Sequence, residues 1–215
     1  MAKRSKTPAL PEKIQARLRR RGRGYVFTRA DLLDLGSTHA VGMALMRLER
    51  AGTVRRLRRG LYDYPKPHPR FGVLAPSSEA IAEAIARRSG ARLQPSEAEA
   101  ANRLRLSDQV PAKVVYQTDA APKTVQIGRR TIQFRRRAPR EMATAGRLSG
   151  LVFSALKDLG KVHVTKKRVA HLRELLDPAD RRKLLDDLPL APAWMHPFIR
   201  YIAGEDTAPK KDARR

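Results

Sequence analysis

The chain contains no cysteine, which excludes disulfide staples, thiolate zinc sites and a cysteine nucleophile together. Aromatic residues make up only 5%, so few rings are on hand to stack unpaired bases, which weighs against single-strand recognition. No apolar run approaches the roughly 18 residues of a membrane span, and no apolar signal segment follows the basic start. The chain is therefore expected to be soluble and cytoplasmic, with no membrane partner. It also lacks a P-loop, a glycine-rich dinucleotide fingerprint and a His-Glu-x-x-His zinc motif, so neither catalysis nor a metal or other cofactor is expected. Acidic residues are scarce: 21 Asp and Glu face 46 Lys and Arg, for a net charge of +25 over 215 residues. Such an excess repels itself unless a polyanion is a regular partner, and nucleic acid is the first expectation.

Among the residues that are present, 37–64 organise the reading. Ser37 is a candidate N-cap, and Val41, Ala44, Leu45 and Leu48 recur at helical spacing, committing one face of a helix to a core. His39, Met43, Met46 and Arg50 fall on the opposite face. Gly52 suits the end of that helix, and strands at 54–57 and 61–64 flank a turn of Arg58, Arg59 and Gly60. Before this stretch, 11–21 reads as an amphipathic helix, 25–27 as a short strand, and Thr28 as the cap of a second helix that buries Leu32, Leu33 and Leu35. The order helix, strand, helix, turn, helix, two-stranded wing is that of a winged helix-turn-helix.

Residues 1–64 hold sixteen Lys or Arg against five Asp or Glu, and this part is the expected site of contact with double-stranded promoter DNA. Arg47 and Arg50 are suited to guanine, Thr38 and His39 to single hydrogen bonds, Met43 to a thymine methyl, and Gly42 to close backbone approach. Arg55, Arg56, Arg58 and Arg59 are expected on phosphate or in the minor groove. Met43 and Met46 serve equally well as an apolar contact with another subunit.

Residues 1–10 read as a disordered basic arm, and 65–70, PKPHPR, as a stiff connector and domain boundary. Beyond it come helices opening at Ser77 or Ser78 and at Ser96, strands at 113–116, 123–127 and 131–134, and helices over 148–159, 165–176 and 178–188. Asp177 and Asp180 are helix-start residues; Asp186 and Asp187 form a polar helix end. A second basic patch holds Arg129, Arg130, Arg135, Arg136 and Arg137, which suits RNA, an acidic protein surface, further DNA contact or plain edge protection. The five histidines are scattered and read as satisfied surface groups.

Three stretches, RRLRRGLYDYPK, AANRLRLSDQVPAKVVYQTD and KTVQIGRRTIQFRR with the following GRLSGLVFSALKDLGK, resemble the AbiEi-type antitoxins of bacterial toxin-antitoxin systems. The resemblance covers roughly residues 11–202. It departs at Arg105, where a small residue, often glycine, is expected. It implies autorepression of an operon through the winged helix and neutralisation of a nucleotidyltransferase-like toxin by the C-terminal domain, a role in phage defence. Two copies on inverted repeats would fit such a repressor. The alternative is an RNA-binding accessory protein without operator specificity. The expected fold class is α+β: a winged helix-turn-helix over 11–66, a mixed domain of helices and a small antiparallel sheet over 67–203, and a polar tail over 204–215.

Overall fold

The computed structural model describes residues 8–109 and 111–205. Most of the basic arm and of the polar tail lie outside these described residues. The protein is mixed α+β, with two compact units. The first runs through Ala91 and takes in Gln126–Arg130; the second comprises Arg92–Val125 and the chain from Thr131.

The first unit opens with helix α1 (Leu10–Arg21), started by the Ala9 N–H donating to Glu12 Oε2 at 3.0 Å. Strand β1 (Val26–Thr28) follows. The Thr28 N–H then donates to Asp31 Oδ2 at 2.7 Å and starts a single 3-10 turn over Arg29–Leu32. The sequence pattern predicts a full second helix here. Gly36 and the cap at Ser37 leave too few residues for one, and Leu33, expected inside, is exposed. Helix α2 (Thr38–Arg50) starts where Ser37 Oγ accepts from the Ala40 N–H at 3.2 Å, and it ends as expected at Gly52, whose φ is +65°. Strands β2 (Arg55–Arg58) and β3 (Leu61–Asp63) form the basic ribbon, and β3 also pairs with β1, giving the antiparallel order β1-β3-β2. Ile14, Leu18, Phe27, Leu32, Val41 and Leu45 are buried together beneath it.

The predicted boundary at residue 66 does not end this unit. The proline-rich segment is a second hairpin, β4 (Lys66–His68) with β5 (Gly72–Leu74), rather than a plain connector. Helix α3 (Ser78–Arg88), capped by Ser77, buries Ile81, Ala82 and Ile85 and packs on β1, where Arg87 Nη2 donates to the Val26 carbonyl at 2.7 Å.

The second unit contains β6 (Leu93–Pro95), α4 (Glu97–Arg103), β7 (Val114–Thr118), β8 (Lys123–Ile127) and β9 (Arg130–Arg136), whose hairpin turn belongs with the first unit. The strand order is β6-β7-β9-β8. The expected all-antiparallel sheet is mixed instead: β7 and β9 run parallel, because β8 takes the outer edge and β9 returns between it and β7. Tyr116 and Phe134, opposite one another in that register, are both buried. Helices α5 (Leu148–Leu159), α6 (Lys166–Leu175), α7 (Pro178–Asp186) and α8 (His196–Ala203) complete the unit around Val152, Leu156, Leu172, Leu184, Ile199 and Ile202. The start of α7 is as predicted, with Asp177 Oδ1 accepting from the Asp180 N–H at 2.8 Å. Asp187 is more than a polar helix end: it is buried and accepts from Arg147 at 2.6 Å and from the Ser149 hydroxyl. Among the described residues, no helix is long and apolar enough to cross a membrane.

Candidate nucleic-acid interface

The exposed side of α2 and the adjoining ribbon enclose an open groove of roughly 600 Å³ in the first unit. Its lining includes Thr38, His39, Gly42, Met43 and Met46 from α2 and Arg56 from β2, so six of the residues singled out in the sequence meet at one surface. The reason is local. Val41, Ala44, Leu45 and Leu48 commit the other face of the helix to the core, and 3.6 residues per turn then place 39, 42, 43 and 46 outward.

Three further lining residues, Arg29, Glu49 and Tyr62, were not singled out as contacts. The Arg29 guanidinium lies beside Gly42: a methyl there would sit 3.6 Å from Nη1, an ordinary contact, so this neighbour does not demand the glycine and no local sequence signal points to Arg29. Glu49 gives the groove an acceptor as well as donors.

Arg47, Arg50, Arg56, Arg58 and Arg59 are exposed and make no hydrogen bond or ion pair among the described residues. Arg55 differs from them. Its Nε and Nη2 donate to Asp63 at 3.0 and 2.6 Å, and Nη2 also donates to the Leu74 carbonyl at 2.8 Å. It is thus a brace at the ribbon base, occupied by the protein itself where a phosphate contact is expected from the sequence. The alternation along β2 explains the division, since Arg56 and Arg58 point to solvent while Arg55 is half-buried. Arg17 is likewise occupied, by a two-point pair with Asp34 at 2.6 Å that holds the Asp34 carboxyl below its ordinary range.

The second basic patch divides in the same way. Arg129, Arg130, Arg135 and Arg136 are exposed. Arg130 donates to the Pro76 carbonyl at 2.7 Å, and Arg137 reaches both Glu97 oxygens at 3.3 Å, so these two are occupied by the protein itself. Histidines also serve the backbone: His171 Nε2 lies 3.1 Å from the Leu104 carbonyl and His196 Nε2 lies 3.2 Å from that of Ala191. No group of three or more His, Asp or Glu among the described residues is placed to hold a metal ion.

The second unit has a smaller cavity of roughly 330 Å³, where buried Gln94 and Gln117 lie below a charged rim of Glu97, Glu141 and Lys157. Gln94 Nε2 donates to the Gly150 carbonyl at 3.0 Å and to the Ser154 hydroxyl, so it ties β6 to α5. A hydrogen bond from Lys157 pulls the Glu141 carboxyl below its ordinary value.

Residues 13–184 match the profile of a family described as "Family of unknown function (DUF6088)". Among solved structures, the crystal structure of the RV2827C protein from Mycobacterium tuberculosis is similar at 16% identity, covering 93% of this chain and 78% of that one. The TM-score is 0.41. No curated protein matches the chain.

Proposed function

Because the chain belongs to the DUF6088 family, whose function is unknown, its role has to be read from its own side chains, and we propose that it is a DNA-binding antitoxin and autorepressor. The observation that carries this reading is the set of five unpaired arginines, Arg47, Arg50, Arg56, Arg58 and Arg59, on α2 and the β2–β3 ribbon beside the groove. Leaving so many guanidinium groups without internal partners keeps them free for phosphates and base edges.

In this reading, α1, β1, the 3-10 turn, α2 and the ribbon make up a winged helix-turn-helix. Helix α2 lies in the major groove, Arg47 and Arg50 select bases, and Arg58 and Arg59 at the ribbon tip hold phosphate. The protein acts by binding rather than catalysis, in the cytoplasm. Its second unit counteracts a nucleotidyltransferase-like toxin, a role that rests on the resemblance to AbiEi-type antitoxins.

The test is a filter-binding titration of the duplex upstream of the protein's own gene, repeated across salt concentrations. Steep weakening with salt and preference over scrambled duplex are expected; a flat salt response or equal retention of both duplexes would sink the repressor reading. Growth rescue on co-expression with an adjacent nucleotidyltransferase gene tests the antitoxin half. The competing role in RNA binding draws on exposed Arg129, Arg135 and Arg136. Single-stranded RNA displacing the promoter duplex at fixed salt would favour it.

A further inference from the structure

The hairpin β4–β5 is a ribbon without a core. Its strands pair in the register Lys66 with Leu74, Pro67 with Val73 and His68 with Gly72. Seven of its nine residues, Lys66, Pro67, Pro69, Arg70, Phe71, Gly72 and Val73, are exposed. An isolated two-stranded ribbon is marginal in water at best. This one is held from its base, by Arg55 Nη2 on the Leu74 carbonyl at 2.8 Å and by Arg23 Nη1 on the Pro65 carbonyl at 3.1 Å. Prolines at 65, 67 and 69 further restrict its backbone.

The rest of the ribbon is bare. Phe71, beside the turn, is 73% exposed and Val73 is 53% exposed. The Phe71 ring lies tilted against His68, at 4.8 Å between centroids, and the Arg70 N–H donates to His68 Nδ1 at 3.2 Å. That contact sets the ring's direction without covering it. No acidic residue occurs from Tyr64 to Ser78, whereas Lys66, His68 and Arg70 flank the ring.

An apolar ring among cations, on a pre-shaped ribbon, complements a nucleic-acid duplex on two counts. The cations match phosphates on either side of a groove, and a phenyl ring can wedge between base pairs where the minor groove opens. An apolar protein pocket would accept the ring but gives no reason for the one-signed charge around it.

We infer that the β4–β5 hairpin is a second DNA-binding element, in which Phe71 wedges into a base step and Lys66 and Arg70 hold the flanking phosphates. The ligand class rests on the DNA-binding reading above; the element and its mode of contact are additional. The bracing role of Arg55 now has a purpose, since one guanidinium ties the base of this hairpin to the ribbon that carries Arg58 and Arg59.

The experiment uses the full chain and Phe71→Ala, a change at an exposed ring expected to leave the melting temperature unchanged. The probe is the shortest promoter duplex retained by the wild type, carrying 2-aminopurine at successive steps and dyes at its two ends. Wild-type binding is expected to raise 2-aminopurine fluorescence at one step and bring the dyes closer. Phe71→Ala should lose both signals and bind on the order of tenfold more weakly, while Phe71→Trp keeps them. The double variant Lys66→Ala/Arg70→Ala should lower the salt slope by about two. If Phe71→Ala matches the wild type in affinity, fluorescence and dye distance, the hairpin inference falls and the DNA-binding reading stands. If the wild type retains no duplex, or prefers the single strand, both fall.

Discussion

Arg55 closes a two-point ion pair on Asp63, at 3.0 and 2.6 Å, in which the carboxylate is 1% exposed and the guanidinium 34%. The two residues face each other across β2 and β3, so the pair locks the base of the ribbon. Arg55→Ala would leave a buried carboxylate without its partner and should cost about 3 kcal/mol, near the low end for a broken buried pair because Arg55 keeps a third of its surface in water. Asp63→Asn retains one acceptor and should cost less. Urea unfolding of both variants checks the order; equal losses would show that packing rather than charge holds the ribbon base.

Removing charge at the ribbon tip should act on binding alone. Arg58→Ala/Arg59→Ala is expected to weaken every duplex and to reduce the slope of log K against log salt by about two, with unchanged thermal stability. Arg47→Ala or Arg50→Ala should instead change which base is preferred, by about 1–3 kcal/mol at one position. Titrations over single-base operator variants separate the two effects. A ribbon-tip variant that altered base preference would reverse these assignments.

Arg105 has φ +56°, the only positive φ of a non-glycine residue among those described. It follows the end of α4, where its N–H donates to the Asn102 carbonyl at 2.9 Å and the Leu106 N–H to that of Ala101 at 2.8 Å. This pair of bonds closes a helix through a left-handed residue, a place that favours glycine. Arg105→Gly should relieve about 1 kcal/mol of backbone strain, partly offset by the freer unfolded chain. The melting temperature should rise slightly; a fall would mean that the arginine side chain contributes more than its backbone costs.

Gly150 marks a close approach within the second unit. A methyl there would run into the Thr144 carbonyl oxygen and lie 2.9 Å from Gln94 Oε1. Backbone rather than a flexible side chain stands in the way, so Gly150→Ala should destabilise by about 2–3 kcal/mol despite the higher helix propensity of alanine. A circular-dichroism melt at or above the wild-type midpoint would show that the segment before α5 yields easily.

Partial burial, and then the Glu97 carboxylate, push the Asp158 carboxyl up from its ordinary value. Its ionised form is therefore disfavoured by folding, and it also sits in the last turn of α5, at the negative end of the helix dipole. The stability linked to this group is present in acid, below the unfolded value near about 3.9, and is lost as pH rises through the raised folded value. Asp158→Asn should melt above the wild type at pH 7, with the gap closing in acid. A gap that stays constant across the pH series would point to a cause other than ionisation.

Most of what the sequence pattern predicts correctly depends on neighbours within a few positions. The cap at Ser37, the buried stripe of α2, the turn at Gly60 and the start of α7 at Asp177 are of this kind. The groove-facing set Thr38, His39, Gly42 and Met43 follows from the same stripe, because a helix with one committed face must present the other. The spacing of Leu33 and Leu35 predicts a second helix but says nothing of the cap that starts α2 a few residues later, and a single 3-10 turn stands there. The β4–β5 hairpin was hidden by its prolines, which mark extended backbone without naming a partner strand.

The charge, the caps and turns, and the two faces of α2 follow from composition and from residues one to four positions apart. Which arginines are free and which are occupied depends instead on long-range packing. Arg55 and Arg56 are adjacent and chemically identical, yet one meets Asp63 and Leu74 while the other faces the groove. Such packing likewise set the parallel pairing of β7 with β9 and the extension of the first unit to Ala91, because strand order and helix docking depend on contacts between distant parts of the chain.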